Sequence, residues 1–222
     1  MSRRKILMTS YSCPVCGTEL EPVGLPYTIE QLFDLWSPTT FSKAVIDEHR
    51  KQAKETQLYQ CSSCHLEVFF PQVIGMPSFY QELATPTGGN AQSATYYEDE
   101  KWDFFEAQEE VKQCGSILEV GCGPGQFLSL STSKNRRVVG VEYTKVAIES
   151  AKKKGLEVYL AGTLPDELFN TFDGAFSFHV LEHVSTPMEF LEDLGRYVKP
   201  GGLIAVSVPN QAGPIRFIEK CA

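Results

Sequence analysis

A glycine-rich segment at residues 117–125 contains the residue types that hold a nucleotide-like cofactor. It reads Ile-Leu-Glu-Val-Gly-Cys-Gly-Pro-Gly, an apolar run that leads into Gly121, Gly123 and Gly125. Because glycine has no Cβ, its backbone adopts positive φ and a ligand can lie directly against the main chain. Glu119 stands two residues before the first glycine, where a carboxylate can meet an ammonium group. A pyrophosphate would be repelled there, so the segment predicts a positively charged cofactor.

The spacing of these glycines differs from that of the dinucleotide fingerprint, in which a third glycine would occupy position 126, here Gln126. The order Glu-x-Gly-x-Gly-x-Gly instead resembles motif I of class I S-adenosylmethionine (SAM)-dependent methyltransferases, whose cofactor carries an ammonium and a sulfonium but no phosphate. The resemblance implies SAM contacts at Glu119 and along the loop of Gly121, Cys122, Gly123 and Gly125. No chemistry is assigned to the Cys122 thiol.

A second acidic residue follows a second apolar run. Residues 137–141, Arg-Val-Val-Gly-Val, predict a buried strand that ends at Glu142. A carboxylate about twenty residues after a glycine loop can accept hydrogen bonds from both ribose hydroxyls of the cofactor. NAD-binding proteins use the same arrangement, so an NAD-linked oxidoreductase stays open as an alternative. Glu119 and Gln126 disfavour it.

Residues 172–184 closely resemble another segment of small-molecule methyltransferases, the fourth strand and the loop after it. They read Phe-Asp-Gly-Ala-Phe-Ser-Phe-His-Val-Leu-Glu-His-Val. The resemblance implies that Phe178 and His179 line the methionine part of SAM. It also places Gly162 and Thr163 after the third strand, near the adenine, where the family often has an acidic residue.

Two residues of this segment are the candidates for catalysis. If the acceptor is a hydroxyl, a base near the methyl group helps, and we favour His183 for that role with Glu182 orienting it or binding substrate. His179-x-x-Glu182-His183 also fits the inverzincin pattern of zinc peptidases. That pattern requires a helix with both histidines on one face, whereas here it begins on an apolar strand. We therefore expect no peptidase site.

The elements that position these residues alternate between strands and helices over residues 115–210, which predicts a doubly wound, Rossmann-like α/β core. The expected elements after the second strand are a helix at Thr144–Lys154, a third strand at Leu156–Ala161, a helix starting at Thr186 and a fifth strand at Leu203–Val208. The family it resembles has two further strands, but only fourteen residues follow Val208. We therefore expect a core that is C-terminally incomplete, with a strand-five edge able to pair with another chain.

Four of the seven cysteines form two knuckles, Cys13-x-x-Cys16 and Cys61-x-x-Cys64. This spacing predicts a structural zinc ion held by four thiolates. Such a metal closes a segment that is too small to build a core of its own. The alternative is four reduced cysteines without a metal.

The predicted domain order is a zinc-ribbon-like module at 1–83 with an inserted helix at Thr28–Trp36, a linker at 84–97 and the methyltransferase core at 98–222. The linker is rich in Gly, Pro, Thr and Ser. Knuckles, the Tyr96-Tyr97 segment and a methyltransferase core together resemble bacterial enzymes that modify sugars or secondary metabolites. A small-molecule acceptor is therefore expected.

Composition limits the function further. A net charge of −8 over 222 residues argues against nucleic acid as the main partner, because phosphate binding requires a basic face. We find no apolar stretch long enough to span a membrane and no signal peptide, so we expect a cytoplasmic protein without a membrane partner. A non-catalytic SAM-binding module is the remaining alternative, because a fold-level match does not establish turnover.

Overall fold

The computed structural model describes residues 10–35, 41–84 and 101–209. The chain divides into two compact units, residues 1–79 with 185–188 and residues 80–184 with 189–222. Apart from Ala84, the predicted linker lies outside the described residues, and so do the residues after Pro209. Within the described ranges, no helix is long and apolar enough to cross a membrane.

The N-terminal unit is built on a three-stranded antiparallel sheet in the order β1-β2-β3. Its strands are β1 (Leu20–Thr28), β2 (Glu55–Cys61) and β3 (Glu67–Phe70). The pairing of Leu20 with Cys61 places the ends of β1 and β2 beside the two cysteine knuckles. This small sheet therefore supports the cysteine cluster.

Helices follow the strands of this unit. The predicted helix begins as expected, because the Thr28 side chain accepts a hydrogen bond from the Gln31 main-chain N–H, and it forms α1 (Ile29–Asp34). Trp36 lies outside the described residues. A further helix, α2 (Lys43–Arg50), was not predicted; Ser42 caps it. A third, α3, spans Pro77–Ala84.

The second unit contains five parallel strands in the order β6-β5-β4-β7-β8. The strands are β4 (Ser116–Val120), β5 (Arg137–Glu142), β6 (Glu157–Leu160), β7 (Phe172–Phe178) and β8 (Val198–Ser207). The helices are α4 (Trp102–Val111), α5 (Gln126–Ser131), α6 (Lys145–Lys153) and α7 (Pro187–Tyr197). Short 3-10 helices lie at Asp166–Leu168 and Leu181–His183.

Alternating side chains of β4 face two separate layers of core. Ile117 packs in a cluster with Phe104 of α4 and Phe127 of α5, whereas Leu118 packs in a cluster with Leu194 of α7. Because successive strand residues point to opposite faces, helices cover both sides of the sheet. The predicted doubly wound α/β core is confirmed.

The fifth strand is longer than predicted, since β8 begins at Val198 rather than at Leu203. The segment Lys199–Gly202 reads Lys-Pro-Gly-Gly, a composition typical of turns, yet it lies within the strand. Pairing shifts between Phe172↔Val198 and Gly174↔Leu203, and Gly201 has φ of 80°. A glycine in the left-handed region makes a local irregularity without ending the pairing. In the part of the chain that the structure describes, β8 pairs with β7 alone.

Candidate cofactor site and metal centre

The predicted cofactor residues lie at the carboxyl ends of β4, β5 and β7 or in the connections after β4, β6 and β7. Because parallel strands place their carboxyl ends at one edge of the sheet, all four connections lie at the same edge. This edge is the usual ligand site of open α/β sheets. The fold thus brings together residues that the sequence separates by up to sixty positions.

Glycine is required in the loop after β4 for conformation and for packing. Gly121, Gly123 and Gly125 have φ of 81°, 52° and 80°. A Cβ on Gly121 would lie 2.2 Å from Cγ2 of Val180, and one on Gly125 would lie 2.3 Å from Cδ1 of Leu156. Two of the three glycines are therefore fixed by protein packing as well as by any ligand.

The Cys122 side chain points into the core. It is buried with Leu128 and Ile148, and burial raises the pKa of its thiol. A Cβ on Gly140 would lie 2.6 Å from the Cys122 Sγ atom, so the sulfur fills the space above that strand glycine. Cys122 can therefore contribute only main-chain atoms to a cofactor site.

Glu119 is a buried carboxylic acid with an unused oxygen. Its exposed fraction is 2%, and its Oε2 atom has no hydrogen-bond partner in the described part of the chain. Burial, followed by the negative charge of Glu142, raises its pKa well above the ordinary value. A cationic ligand group at Oε2 would supply the missing partner, since a buried charge is stable only when paired.

Unlike Glu119, Glu142 already has hydrogen-bond partners within the protein for both of its oxygens. Oε2 accepts from the Gly123 main-chain N–H at 2.9 Å. Oε1 accepts from the main-chain N–H and the hydroxyl of Thr144, at 2.8 and 2.7 Å. A carboxylate has about four acceptor sites. Glu142 thus ties the glycine loop to the end of β5 and retains capacity for a ribose hydroxyl.

The turn after β6 contains the predicted adenine-side residues. Gly162 has φ of 79°, and a Cβ there would meet no atom within 4 Å. The main-chain N–H and the hydroxyl of Thr163 both donate to the Leu160 carbonyl, at 2.9 and 2.8 Å. The Ala161 N–H donates to the Glu142 carbonyl at 2.9 Å, which anchors this turn beside Glu142.

Phe178 is the last residue of β7 and His179 follows it, and the two side chains have different surroundings. Phe178 is buried, with its ring centroid 4.9 Å from that of Phe104. His179 has φ of 55°, and its N–H donates to the Ser207 carbonyl at 2.9 Å. Its Nε2 lies 3.1 Å from Oδ2 of Asp103 and its Nδ1 lies 3.6 Å from Oε1 of Glu182.

His183 lies at the end of the 3-10 helix Leu181–His183 and is partly exposed. Its Nε2 atom is 3.9 Å from Oε1 of Glu182, and its ring meets that of Tyr80 edge-on at 6.1 Å. His179 and His183 share no α-helix. The peptidase interpretation therefore fails on geometry, as the sequence analysis expected.

Asp103 and Ser207 belong to the site, and sequence reasoning missed both. Asp103 is buried; its Oδ1 accepts from the Phe104 N–H at 3.0 Å and its Oδ2 from the Ser207 hydroxyl at 2.8 Å. Asp103 lies in the first turn of α4, and Ser207 is the last residue of β8. No motif relates them to His179, because the three residues meet only through tertiary packing.

The four knuckle cysteines converge in the N-terminal unit. Their Sγ atoms all lie within 4.8 Å of one another, with Cys13 to Cys64 at 3.6 Å and Cys16 to Cys61 at 3.4 Å. Tetrahedral zinc with Zn–S bonds of about 2.3 Å would place thiolates roughly 3.8 Å apart. A hydrogen bond with the Thr18 side chain lowers the pKa of the Cys16 thiol to about 6. The donor set fits a zinc ion.

The two knuckles also share one main-chain pattern. In the first, the Cys13 N–H donates to the Thr18 carbonyl and the Gly17 N–H donates to the Cys13 carbonyl. In the second, the Cys61 N–H donates to the Leu66 carbonyl and the His65 N–H donates to the Cys61 carbonyl. Gly17 and His65 occupy equivalent positions with φ of 74° and 60°. His65 therefore takes the left-handed conformation that glycine favours, at a strain cost of about 1 kcal/mol.

These features define an α/β domain whose candidate cofactor residues lie at the carboxyl edge of its parallel sheet. A family model described as a methyltransferase domain matches residues 90–217, more than half of the chain. The chain belongs to that family. The class I SAM-dependent methyltransferase predicted from motif I is confirmed.

Two curated relatives match a shorter part of the chain than the family model does. The ubiquinone biosynthesis O-methyltransferase of Maricaulis maris is 32% identical over 103 residues, 43% of this chain and 41% of that protein. The tRNA (carboxymethyluridine(34)-5-O)-methyltransferase of Arabidopsis thaliana is 35% identical over 113 residues, 49% and 28%. The chain thus spans less than half the length of these curated relatives.

Among solved structures, a SAM-dependent methyltransferase from Thermotoga maritima, described as a possible histamine N-methyltransferase, is 26% identical. It aligns with a TM-score of 0.43 over 53% of this chain and 57% of that one.

Proposed function

We propose that the second unit binds SAM and transfers its methyl group to a small-molecule acceptor. The observation that carries the proposal is the buried Glu119, whose Oε2 atom lacks a partner beside the glycine loop. The α-ammonium group of SAM is the cation that would complete it. Glu142 would hold the ribose, and main-chain atoms of the loop would approach the cofactor closely.

When bound, SAM supplies a sulfonium methyl group that is already electrophilic. The residues of the chain therefore need mainly to align the acceptor with the S–CH₃ bond, an effect that can contribute roughly 7–11 kcal/mol. We place the proton acceptor among His179, Glu182 and His183, which follow β7 at the same edge as the glycine loop. His183 is the choice of the sequence analysis; the contacts of His179 make it the stronger candidate.

A small acceptor is favoured over nucleic acid by charge. The relative in Arabidopsis is named for a tRNA substrate, but this chain carries a net charge of −8. Neutralising several phosphates requires clustered Lys and Arg. We propose a cytoplasmic location, because none of the six described cysteines is in a disulfide bond.

Two measurements test this function. Calorimetric titration should detect SAM binding by the purified chain, and a mass-spectrometric screen of metabolites should find an acceptor that gains about 14 Da, the mass of an added CH₂. Absence of SAM binding would overturn the proposal. Binding without turnover on any acceptor would favour the non-catalytic SAM-binding alternative.

We further propose that Cys13, Cys16, Cys61 and Cys64 hold one structural zinc ion. Support comes from the convergence of the four Sγ atoms and from the matching hydrogen bonds of the two knuckles. The ion would play no part in methyl transfer, since four protein ligands leave no open position. Metal analysis of the purified protein should find one zinc per chain.

A further inference from the structure

A buried aspartate holds one end of the His179 ring. Asp103 is 5% exposed, and its Oδ2 atom lies 3.1 Å from Nε2 of His179. Every other recorded bond of this carboxylate is accepted from a donor, the Phe104 N–H and the Ser207 hydroxyl. Two accepted hydrogen bonds favour the ionised form of a carboxylate, which can only accept, so we assign the hydrogen of this pair to Nε2.

The tautomer of His179 follows from that contact. In a neutral imidazole, one nitrogen carries hydrogen and the other has a free lone pair. With hydrogen fixed on Nε2, the lone pair lies on Nδ1. The nearest recorded group to Nδ1 is Oε1 of Glu182 at 3.6 Å, too far for a hydrogen bond. Nδ1 is therefore free to accept a proton, with a carboxylate beside it to stabilise the resulting imidazolium.

The main chain fixes the ring's position independently. His179 has φ of 55°, which a non-glycine residue adopts at a cost, and its N–H is tied to the Ser207 carbonyl at 2.9 Å. The Ser207 hydroxyl donates to the same Oδ2 atom of Asp103 at 2.8 Å. His179 is thus joined to α4 and β8 at two points, whereas the His183 side chain lies 3.9 Å from Glu182 and edge-on to the Tyr80 ring.

We propose that Asp103 is a positioning residue that holds His179 with hydrogen on Nε2, so that Nδ1 removes the proton from a hydroxyl acceptor. This rests on the proposed methyl transfer. The acceptor oxygen forms a bond to the methyl carbon, and the S–CH₃ bond breaks with its electron pair going to sulfur. The acceptor proton passes to Nδ1, and Glu182 faces the imidazolium.

The tautomer can be measured without an acceptor. Nitrogen-15 NMR of the histidine rings distinguishes Nε2–H from Nδ1–H, and the chain has only four histidines, so His179→Gln assigns the relevant signal. The full chain should show His179 as the Nε2–H form at neutral pH. An Nδ1–H form in the wild type would overturn the proposal, whatever the variants do.

Asp103→Asn gives the sharper test. The Phe104 N–H requires an acceptor, which keeps the amide oxygen at the Oδ1 position, so the amide nitrogen takes the place of Oδ2 and donates to Nε2. The hydrogen of His179 should then move to Nδ1 while the fold is retained. Ser207→Ala leaves the carboxylate in place and should keep Nε2–H, as should Asp193→Asn on the surface of α7. An unchanged tautomer in Asp103→Asn would contradict the proposal.

Kinetics then separate positioning from cofactor binding. With an acceptor in hand, Asp103→Asn should lower kcat by roughly 10²- to 10⁴-fold, the usual contribution of a general base, and leave SAM affinity within about twofold. A kcat unaffected by Asp103→Asn, with turnover instead abolished by His183→Ala, would overturn the role of His179. If no acceptor is ever methylated, the proposed function fails, but the tautomer result still stands.

Discussion

The four-cysteine cluster and the carboxyl edge of the parallel sheet both gather acidic groups, but different forces hold them in place. The Cys13 thiol contacts that of Cys64, and the Cys61 thiol contacts that of Cys16, beside a small three-stranded sheet. Glu119 and Glu142, at the carboxyl edge, belong to a unit whose core includes the fully buried Phe127, Phe172 and Phe176. We infer that the first site needs its ion in order to fold, whereas the second exists before its ligand arrives.

Loss of a zinc ligand should have the largest effect. Cys61→Ser should remove the metal and unfold the N-terminal unit, because structural zinc contributes roughly 10–16 kcal/mol of apparent binding energy to such sites. Metal analysis and circular dichroism measure both outcomes, and SAM binding should survive in part. Cys114→Ser, a buried cysteine outside the cluster, should keep its zinc. A wild type that is folded without metal would break the contrast between the two sites.

SAM binding should be coupled to the release of a proton from Glu119. Burial and the negative charge of Glu142 raise the pKa of Glu119, whereas a bound SAM ammonium would favour the ionised form, so we expect SAM binding to release a proton from Glu119. Calorimetric titrations in two buffers of different ionisation heat should detect the release. Glu119→Gln should abolish it and weaken SAM roughly 10- to 100-fold, about 1.5–3 kcal/mol. Glu149→Gln, an exposed residue of α6, should change neither quantity.

The same pKa shift sets a pH dependence of stability. Because the folded-state pKa of Glu119 is raised above 4.5, its contribution is fully present below that pH and is lost as pH rises through the folded value. SAM removes this cost, so the rise in Tm on adding SAM should grow with pH over the same window. A Tm increment that is flat with pH would argue against an ammonium at Glu119.

Glu142 tests whether a satisfied carboxylate still contributes to binding. Glu142→Ala should weaken SAM by roughly 10- to 100-fold through the loss of charge-assisted hydrogen bonds to the ribose. Part of this loss comes from the glycine loop, since the Gly123 N–H loses its acceptor. Calorimetric titration measures the affinity. An unchanged value would leave Glu142 with only its structural bonds.

The smallest effect is expected at the amino edge of the same sheet. Asp173 accepts from the main-chain N–H groups of Gly115 and Ser116, and the Lys199 ammonium beside it lowers its pKa. Asp173→Asn should cost about 1–2 kcal/mol of unfolding free energy without altering SAM affinity.

The pH dependence of Tm shows whether Asp173→Asn destabilises the protein through the lost charge or through altered packing. A lowered carboxyl pKa contributes stability above its ordinary value of 3.8, and this stability disappears as pH falls through the lower folded value. The Tm values of wild type and Asp173→Asn should therefore begin to converge below about pH 4, near the ordinary Asp pKa, and should meet only below the lower folded pKa. Asp193→Asn, which breaks one exposed ion pair with Arg196, should change stability by less than about 0.5 kcal/mol.

Local spacing was enough to predict the parts of this protein whose geometry is itself local. The glycine loop at 121–125, the two Cys-x-x-Cys knuckles and the helix start at Thr28 each depend on residues within about five positions, through main-chain conformation and short hydrogen bonds. The period of apolar residues also predicted five strands and their order along the chain. The bulge at Gly201 was not predicted, because a glycine can equally end a strand or distort it.

Tertiary structure alone decided how the acidic side chains are used. Glu119 and Glu142 look alike in sequence, yet one has a buried oxygen without a partner and the other accepts three hydrogen bonds. Asp103, His179 and Ser207 form one contact group from distant segments. Sequence spacing carries no information about such pairs, because burial and hydrogen-bond partners are set only when the strands and helices pack together.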